Sequence, residues 1–217
     1  MNALLGFAAA LVALRLAGDL TRRWRAGRGA HYAVWAAALA AYALAAAAIA
    51  WGEAAGWDGR AFRVYYLCGA LLTAPLLGCG SLLLVGRRWA GTVALAYGAF
   101  AVGVAVSVPL HGVFPASGIP AAQDYLEFVP ARLLAIAANS LGTLAVVAVA
   151  VATARRRPLG NLLIVAGVAV AAAGSALVGL GAAGSSISIA VGAALLYAGF
   201  VAPARVADLR PRVPIRG

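Results

Sequence analysis

The chain has 217 residues, 65% of them hydrophobic and only 11% charged, with a mean hydropathy of +0.96. Soluble domains carry about 25% charged residues, so this composition excludes an ordinary water-soluble globule and makes the bilayer the expected solvent. The net charge of +11 is carried by arginine alone, with no lysine; these side chains cluster between apolar runs, which fits anionic lipid headgroups and the positive-inside rule, and no nucleic-acid partner is expected.

A hydrocarbon core of about 30 Å takes about 20 apolar helical residues per crossing. The first segment that long runs from about Ala3 to Leu20. It lacks the basic leader and small-residue cleavage site of a signal peptide, and its charges, Arg22, Arg23, Arg25 and Arg28, follow it. Arg15 is expected to snorkel and to pair with Asp19 at i+4. The second segment spans His31 to Trp51, with His31 and Trp35 one turn apart as a packing stripe. The third spans Phe62 to Val85, with a kink expected at Pro75. After the tight turn at Arg87 and Arg88 the fourth covers Trp89 to Val108. The connection Pro109 to Val129, broken by Pro115, Gly118 and Pro120, is too irregular for a span. The fifth segment begins at Pro130, a good first helical position, and runs to Thr153, before Arg155, Arg156 and Arg157. The sixth covers Leu159 to Leu180, where Asn161 is expected to satisfy backbone groups at the helix start, and the seventh covers Ser185 to Val201.

The expected architecture is therefore all-α, a polytopic bundle of seven transmembrane helices within residues 1–204, followed by a basic cytoplasmic tail at 205–217. Arginine placement sets the orientation. Arg60, Arg63 and Arg132 fall on one side and every other arginine on the other, so the N-terminus is expected outside and the C-terminus in the cytoplasm of a bacterial inner membrane. Small residues four apart, such as Ala74 and Gly78, predict close helix packing. Cys68 and Cys79 are eleven residues apart, about 16 Å along a helix axis, too far for a disulfide.

Several chemistries are excluded by what is missing. Without lysine there is no Schiff base for retinal. His31 and His111 fall at opposite ends of the bundle and cannot share a haem iron. No metal-binding or nucleophile–base motif lies within the spans, so no catalytic residue, metal or cofactor is expected. Gly78-Cys79-Gly80-Ser81 has the look of a nucleophile elbow, but no mid-membrane base accompanies it, and close packing is the reading adopted. No span carries a mid-membrane acid or histidine of the kind proton-driven carriers use.

The informative region is the outer end. Arg63, Tyr66, Ala70, Thr73, Leu77 and Ser81 recur at helical spacing on the third segment, and Arg132, Ile136, Asn139 and Thr143 do so on the fifth. One reading is an outward-open pocket in which Arg63 and Arg132 hold an anionic group while Tyr66 and Asn139 orient the ligand. The other is that the arginines pair with Glu53, Asp58, Asp124 or Glu127 and clamp the external loops. Trp51, Trp57 and Tyr125 are read as interfacial anchors.

Arg63-Val64-Tyr65-Tyr66-Leu67, Ala138-Asn139-Ser140-Leu141-Gly142 and Gly160-Asn161-Leu162-Leu163, with the arginine-rich turn before the last, resemble small uncharacterised seven-helix membrane proteins of actinobacteria over most of the chain. That resemblance implies the fold and no activity. The plan is also similar to the seven-helix sensor regions ahead of bacterial kinases, but the chain ends after its last helix, so any signal is expected to pass to a separate protein. The resulting expectation is a non-enzymatic sensor or accessory subunit. Its partners would be membrane lipids and a protein bound through the cytoplasmic arginine clusters. A small facilitator or channel and a purely structural subunit are the alternatives.

Overall fold

Apolar runs separated by short polar turns leave the backbone only one way to satisfy its hydrogen bonds in lipid, which is helix. The computed structural model describes residues 2–116, 118–155, 158–179, 191–192, 194–196 and 198–199, and all regular structure among them is helical. Helix α1 is Asn2–Arg25. Four helices that follow are long and apolar enough to cross a membrane: α2 (Ala30–Ala55), α3 (Gly59–Leu84), α4 (Trp89–Ser107) and α5 (Phe128–Ala152). Helix α6 is Pro158–Gly179. Most of the expected seventh segment, the tail at 205–217, Arg156 and Arg157 lie outside the described residues.

Helix ends follow local chemistry. Arg22, Arg23 and Arg25 occupy the last turn of α1, where cations oppose the exposed carbonyl dipoles. Asp19 pairs with Arg22, not with Arg15. The reason is directional: helical side chains lean toward the N-terminus, so Arg22 reaches back to Asp19 while Arg15 leans away. Gly56 ends α2 at φ 89° and Gly86 turns the chain after α3 at φ 86°, a left-handed conformation that a Cβ disfavours. Asp58 caps α3 by accepting the Ala61 N–H at 2.7 Å.

Helix α1 packs along α2, α2 on α3, and α3 on both α4 and α5, with α6 on α5. Successive helices run antiparallel, so Arg22 to Arg28, Arg87, Arg88 and Arg155 gather at one end of the bundle, the arginine end. The 109–127 connection lies at the other, the loop end. Outward faces are apolar, with Leu95 79%, Val106 71% and Leu141 69% exposed, an arrangement suited to hydrocarbon rather than water. Inside, contacts are close. A Cβ on Gly142 would fall 2.4 Å from the Ala74 carbonyl oxygen, and one on Gly78 would fall 2.8 Å from the Gly142 Cα. Backbone here packs directly on backbone, as small residues allow where no hydrophobic drive acts between helices.

Helix α3 departs from the expected simple kink at Pro75. Its first part, Gly59–Tyr65, gives way to a π-helical stretch at Tyr66–Thr73, and the α-helix resumes at Ala74–Leu84 with Pro75 in its first turn. A proline has no N–H and its ring collides with the carbonyl four residues back; a wider turn ahead of it relieves the collision. The two carbonyls that Pro75 leaves without a donor are taken by side chains of other helices, Asn139 Nδ2 donating to Ala70 at 2.7 Å and Tyr97 Oη to Leu71 at 2.6 Å. Within the helix, Thr73 Oγ1 donates to the Cys68 carbonyl at 2.7 Å. In helix α5, Val129 is extended (φ −111°, ψ 136°), so the helical run starts at Pro130 as expected.

Candidate functional site at the loop end

The loop end is built on aromatic side chains. Phe62, with no exposed surface, contacts Tyr66 (5.9 Å between ring centroids, nearly parallel), Phe114 (5.3 Å) and Tyr125 (5.4 Å). Phe114 stacks on Tyr125 at 4.5 Å, and Trp57 meets Tyr65 edge-on at 5.6 Å. Such pairs add about 0.5–1.5 kcal/mol each beyond area burial. The 109–127 connection is closed on itself by the His111 backbone N–H donating to the Tyr125 carbonyl at 3.0 Å, and its Phe114 and Tyr125 rings seat it against Phe62 of α3. This corrects the reading of the aromatic residues as anchors. Trp51, 65% exposed, can be one, but Trp57 and Tyr125 are 7% and 8% exposed and belong to the core. Tyr125 meets Phe62 of α3 as well as Phe114, and Trp57 meets Tyr65 of α3, so spacing alone did not reveal the cluster.

The two arginines part company. The Arg63 guanidinium donates to the carbonyls of Ala105 and Val106, which belong to the last turn of α4, where helix carbonyls lack intrahelical donors. Arg63 is thus a cap supplied by a neighbouring helix. The half-buried Arg132 lies over the Phe128 ring, 5.6 Å from its centroid, and close enough to Tyr66 for its charge to act on the phenol. Among the described residues neither arginine forms an ion pair with a carboxylate, which corrects the expected clamp to the loop acids. Those acids are engaged elsewhere or face water. Asp58 caps α3. Glu127 stands 3.8 Å from His111, both well exposed, and Asp124 is exposed in a short 3₁₀ turn, Ala122–Asp124.

Of the four residues expected to bind ligand, the α3–α5 interface brings together Tyr66, Arg132 and Asn139, while Arg63 faces α4. The Asn139 amide is committed to the Ala70 carbonyl. What remains able to meet an anion is the Arg132 guanidinium with the Phe128 face and Tyr66 beside it. Phe128 and Tyr97 are the residues that sequence reasoning passed over. The four-residue step from Phe128 to Arg132 was the available signal for the first; nothing local marked the second.

At the arginine end, His31 and Trp35 meet edge-on at 5.1 Å, bearing out their stripe, and Arg23 covers Tyr32 at 5.9 Å. Asn161 does not serve its own helix start. Its Nδ2 donates to the Ala150 carbonyl at 3.1 Å and to Thr153 Oγ1 at 2.9 Å, because the end of α5 is where orphaned carbonyls lie. The Gly78-Cys79-Gly80-Ser81 run is packing surface: Gly80 sits against the Trp35 ring, so close that a Cβ would be 2.3 Å from it. The Ser81 hydroxyl donates to the Leu77 carbonyl at 2.8 Å. Comparison with protein-family models, with curated proteins and with solved structures finds no match to this chain.

Proposed function

We propose that the chain is a seven-helix integral protein of a bacterial cytoplasmic membrane, N-terminus outside and C-terminus inside, kin to the small actinobacterial proteins it resembles. In this reading it is a non-enzymatic sensor or accessory subunit that binds an anionic or amphiphilic ligand at its outer face. The topology rests on the four long apolar helices and on the arginine turns sharing one end, as the positive-inside rule asks of a cytoplasmic face. The binding role rests on one observation: Arg132 is half-buried at the mouth of the α3–α5 interface, flanked by Phe128 and Tyr66, with no carboxylate partner among the described residues. A guanidinium in a poorly hydrated place favours an anion more strongly than one in open water, and the half-exposed Phe128 ring suits an alkyl portion beside it.

The test is thermal unfolding of the detergent-solubilised protein with octyl phosphate and octanoate as probes. Stabilisation by either probe, lost in Arg132→Ala and kept in Arg63→Ala, is the expected result. Equal stabilisation of the wild type and Arg132→Ala would sink the binding role. A structural subunit is the second reading, favoured by the commitment of Arg63 and Asn139 to backbone carbonyls; it predicts no probe effect in any variant.

A further inference from the structure

A cavity of about 600 Å³ opens at the arginine end between α2, α3, α5 and α6; a role for it rests on the membrane placement proposed above and not on the Arg132 site. Its size falls within the roughly 300–1,000 Å³ typical of small-molecule sites. Its walls are mainly hydrocarbon, with Leu77, Val146, Val149, Ile164, Val168 and Leu196 among them. Four polar side chains also line it, but their donors point away from its interior. Ser81 Oγ and Trp35 Nε1 donate to the Leu77 carbonyl, Thr153 Oγ1 donates to Val149, and both hydrogens of the Asn161 amide serve Ala150 and Thr153. A water needs two to four polar partners to settle in such a place. This wall presents few, so the occupant it suits is an alkyl chain rather than water or a polar solute.

The rim has the opposite character. Gly86 lines the cavity and is followed directly by Arg87 and Arg88, both exposed, while exposed Arg155 stands two residues beyond the lining Thr153. Hydrocarbon below and guanidinium above match one kind of molecule, an amphiphile with an anionic head. The bilayer that surrounds the bundle supplies it at high local concentration.

We propose that this cavity holds an acyl chain of an acidic phospholipid, whose headgroup phosphate is bound by Arg87, Arg88 and Arg155. Arginine recognises phosphate oxygens through paired N–H donors, and polybasic turns attract acidic lipid at the cytoplasmic surface.

The experiment is native mass spectrometry of the full chain in detergent, titrated with phosphatidylglycerol, with phosphatidylcholine of the same acyl chains, and with the matching free fatty acid. Phosphatidylglycerol should be retained about fivefold or more over phosphatidylcholine, a modest return for three exposed cations near a headgroup. The triple variant Arg87→Gln, Arg88→Gln, Arg155→Gln should erase that preference while leaving residual binding of both lipids. Val146→Phe, which fills the cavity from α5, should abolish retention of both; Val168→Phe fills it from α6 and serves if the first variant does not fold. Equal retention of the two phospholipids by the wild type overturns the headgroup assignment. Undiminished binding in a folded cavity-filling variant overturns the chain site, and preferential retention of the fatty acid overturns the choice of phospholipid.

Discussion

The junction at Pro75 can be tested by removing the side chain that compensates for it. In a helix the N–H of residue 75 would reach the carbonyl of Leu71 in α register or Ala70 in π register. Proline offers neither, and the structure fills both vacancies from other helices, with Asn139 at 2.7 Å from Ala70 and Tyr97 at 2.6 Å from Leu71. Asn139→Leu keeps the volume and removes the donor. A buried carbonyl left unsatisfied costs about 1–3 kcal/mol, whereas interhelical hydrogen bonds in membranes average about 0.6 and reach about 1.7 kcal/mol. The average applies where the partner can find another donor. Here proline has removed the nearest one, so the expected cost is about 1–2 kcal/mol, and Tyr97→Phe should cost a similar amount. The assay is reversible unfolding in mixed micelles with increasing denaturing detergent. The decisive comparison repeats both substitutions in a Pro75→Ala background, where the new N–H takes one of the two carbonyls. The cost of Asn139→Leu falls if the helix keeps its π register, and that of Tyr97→Phe falls if it relaxes to α. Undiminished costs for both in that background would refute the reasoning, because the two side chains would then not be standing in for a missing donor.

Close packing gives the next expectation. Gly142→Ala places a Cβ 2.4 Å from the Ala74 carbonyl oxygen, which is backbone and cannot rotate away, so about 1–3 kcal/mol or more should be lost. Gly98→Ala and Gly103→Ala on α4 meet nothing within 4 Å; they should be neutral or stabilising by up to about 1 kcal/mol through helix propensity, read in the same assay. Asp58→Ala removes the cap of α3 and should cost about 1 kcal/mol, while Asp58→Asn should cost much less, since a side-chain oxygen suffices; equal losses would assign Asp58 a charge role instead. Asn161→Leu should destabilise the protein by about 1–2 kcal/mol by orphaning the Ala150 carbonyl, measured by the same titration, with Asn161→Ala as a check against crowding of the neighbouring cavity.

The separation of Arg63 from Arg132 shows how little residue type settles by itself. Both arginines open a stripe of small or hydroxyl-bearing residues on an apolar helix, and in sequence they look equivalent. What distinguishes them is where a third helix stops. Helix α4 ends at Ser107, which leaves the Ala105 and Val106 carbonyls short of partners beside Arg63. Arg132 has instead an aromatic ring from its own segment. One cation therefore stabilises a helix end, while the other keeps its guanidinium over the Phe128 ring. Spacing along α3 or α5 could not distinguish these cases, because the deciding groups belong to a tertiary neighbour.

The same boundary runs through the rest of the molecule. The helical runs of α2 to α5 could be read from the chain because hydrophobic length and punctuation by arginine, glycine and proline are local properties. The loop-end core could not be read in the same way: Phe62, Phe114 and Tyr125 are widely separated, and only the folding back of the 109–127 connection stacks them. The π segment lay between these extremes. Pro75 announced a disturbance, but a kink, a break and a widened turn all answer the same missing N–H. The outcome depends on whether donors stand opposite the freed carbonyls. Asn139 and Tyr97 stand there, 69 and 26 residues from the carbonyls they serve. A polar stripe that looks like the lining of a pocket is in this helix partly the repair of its own backbone, so an amide or hydroxyl in a membrane span should be tested against nearby proline-freed carbonyls before it is assigned to a ligand.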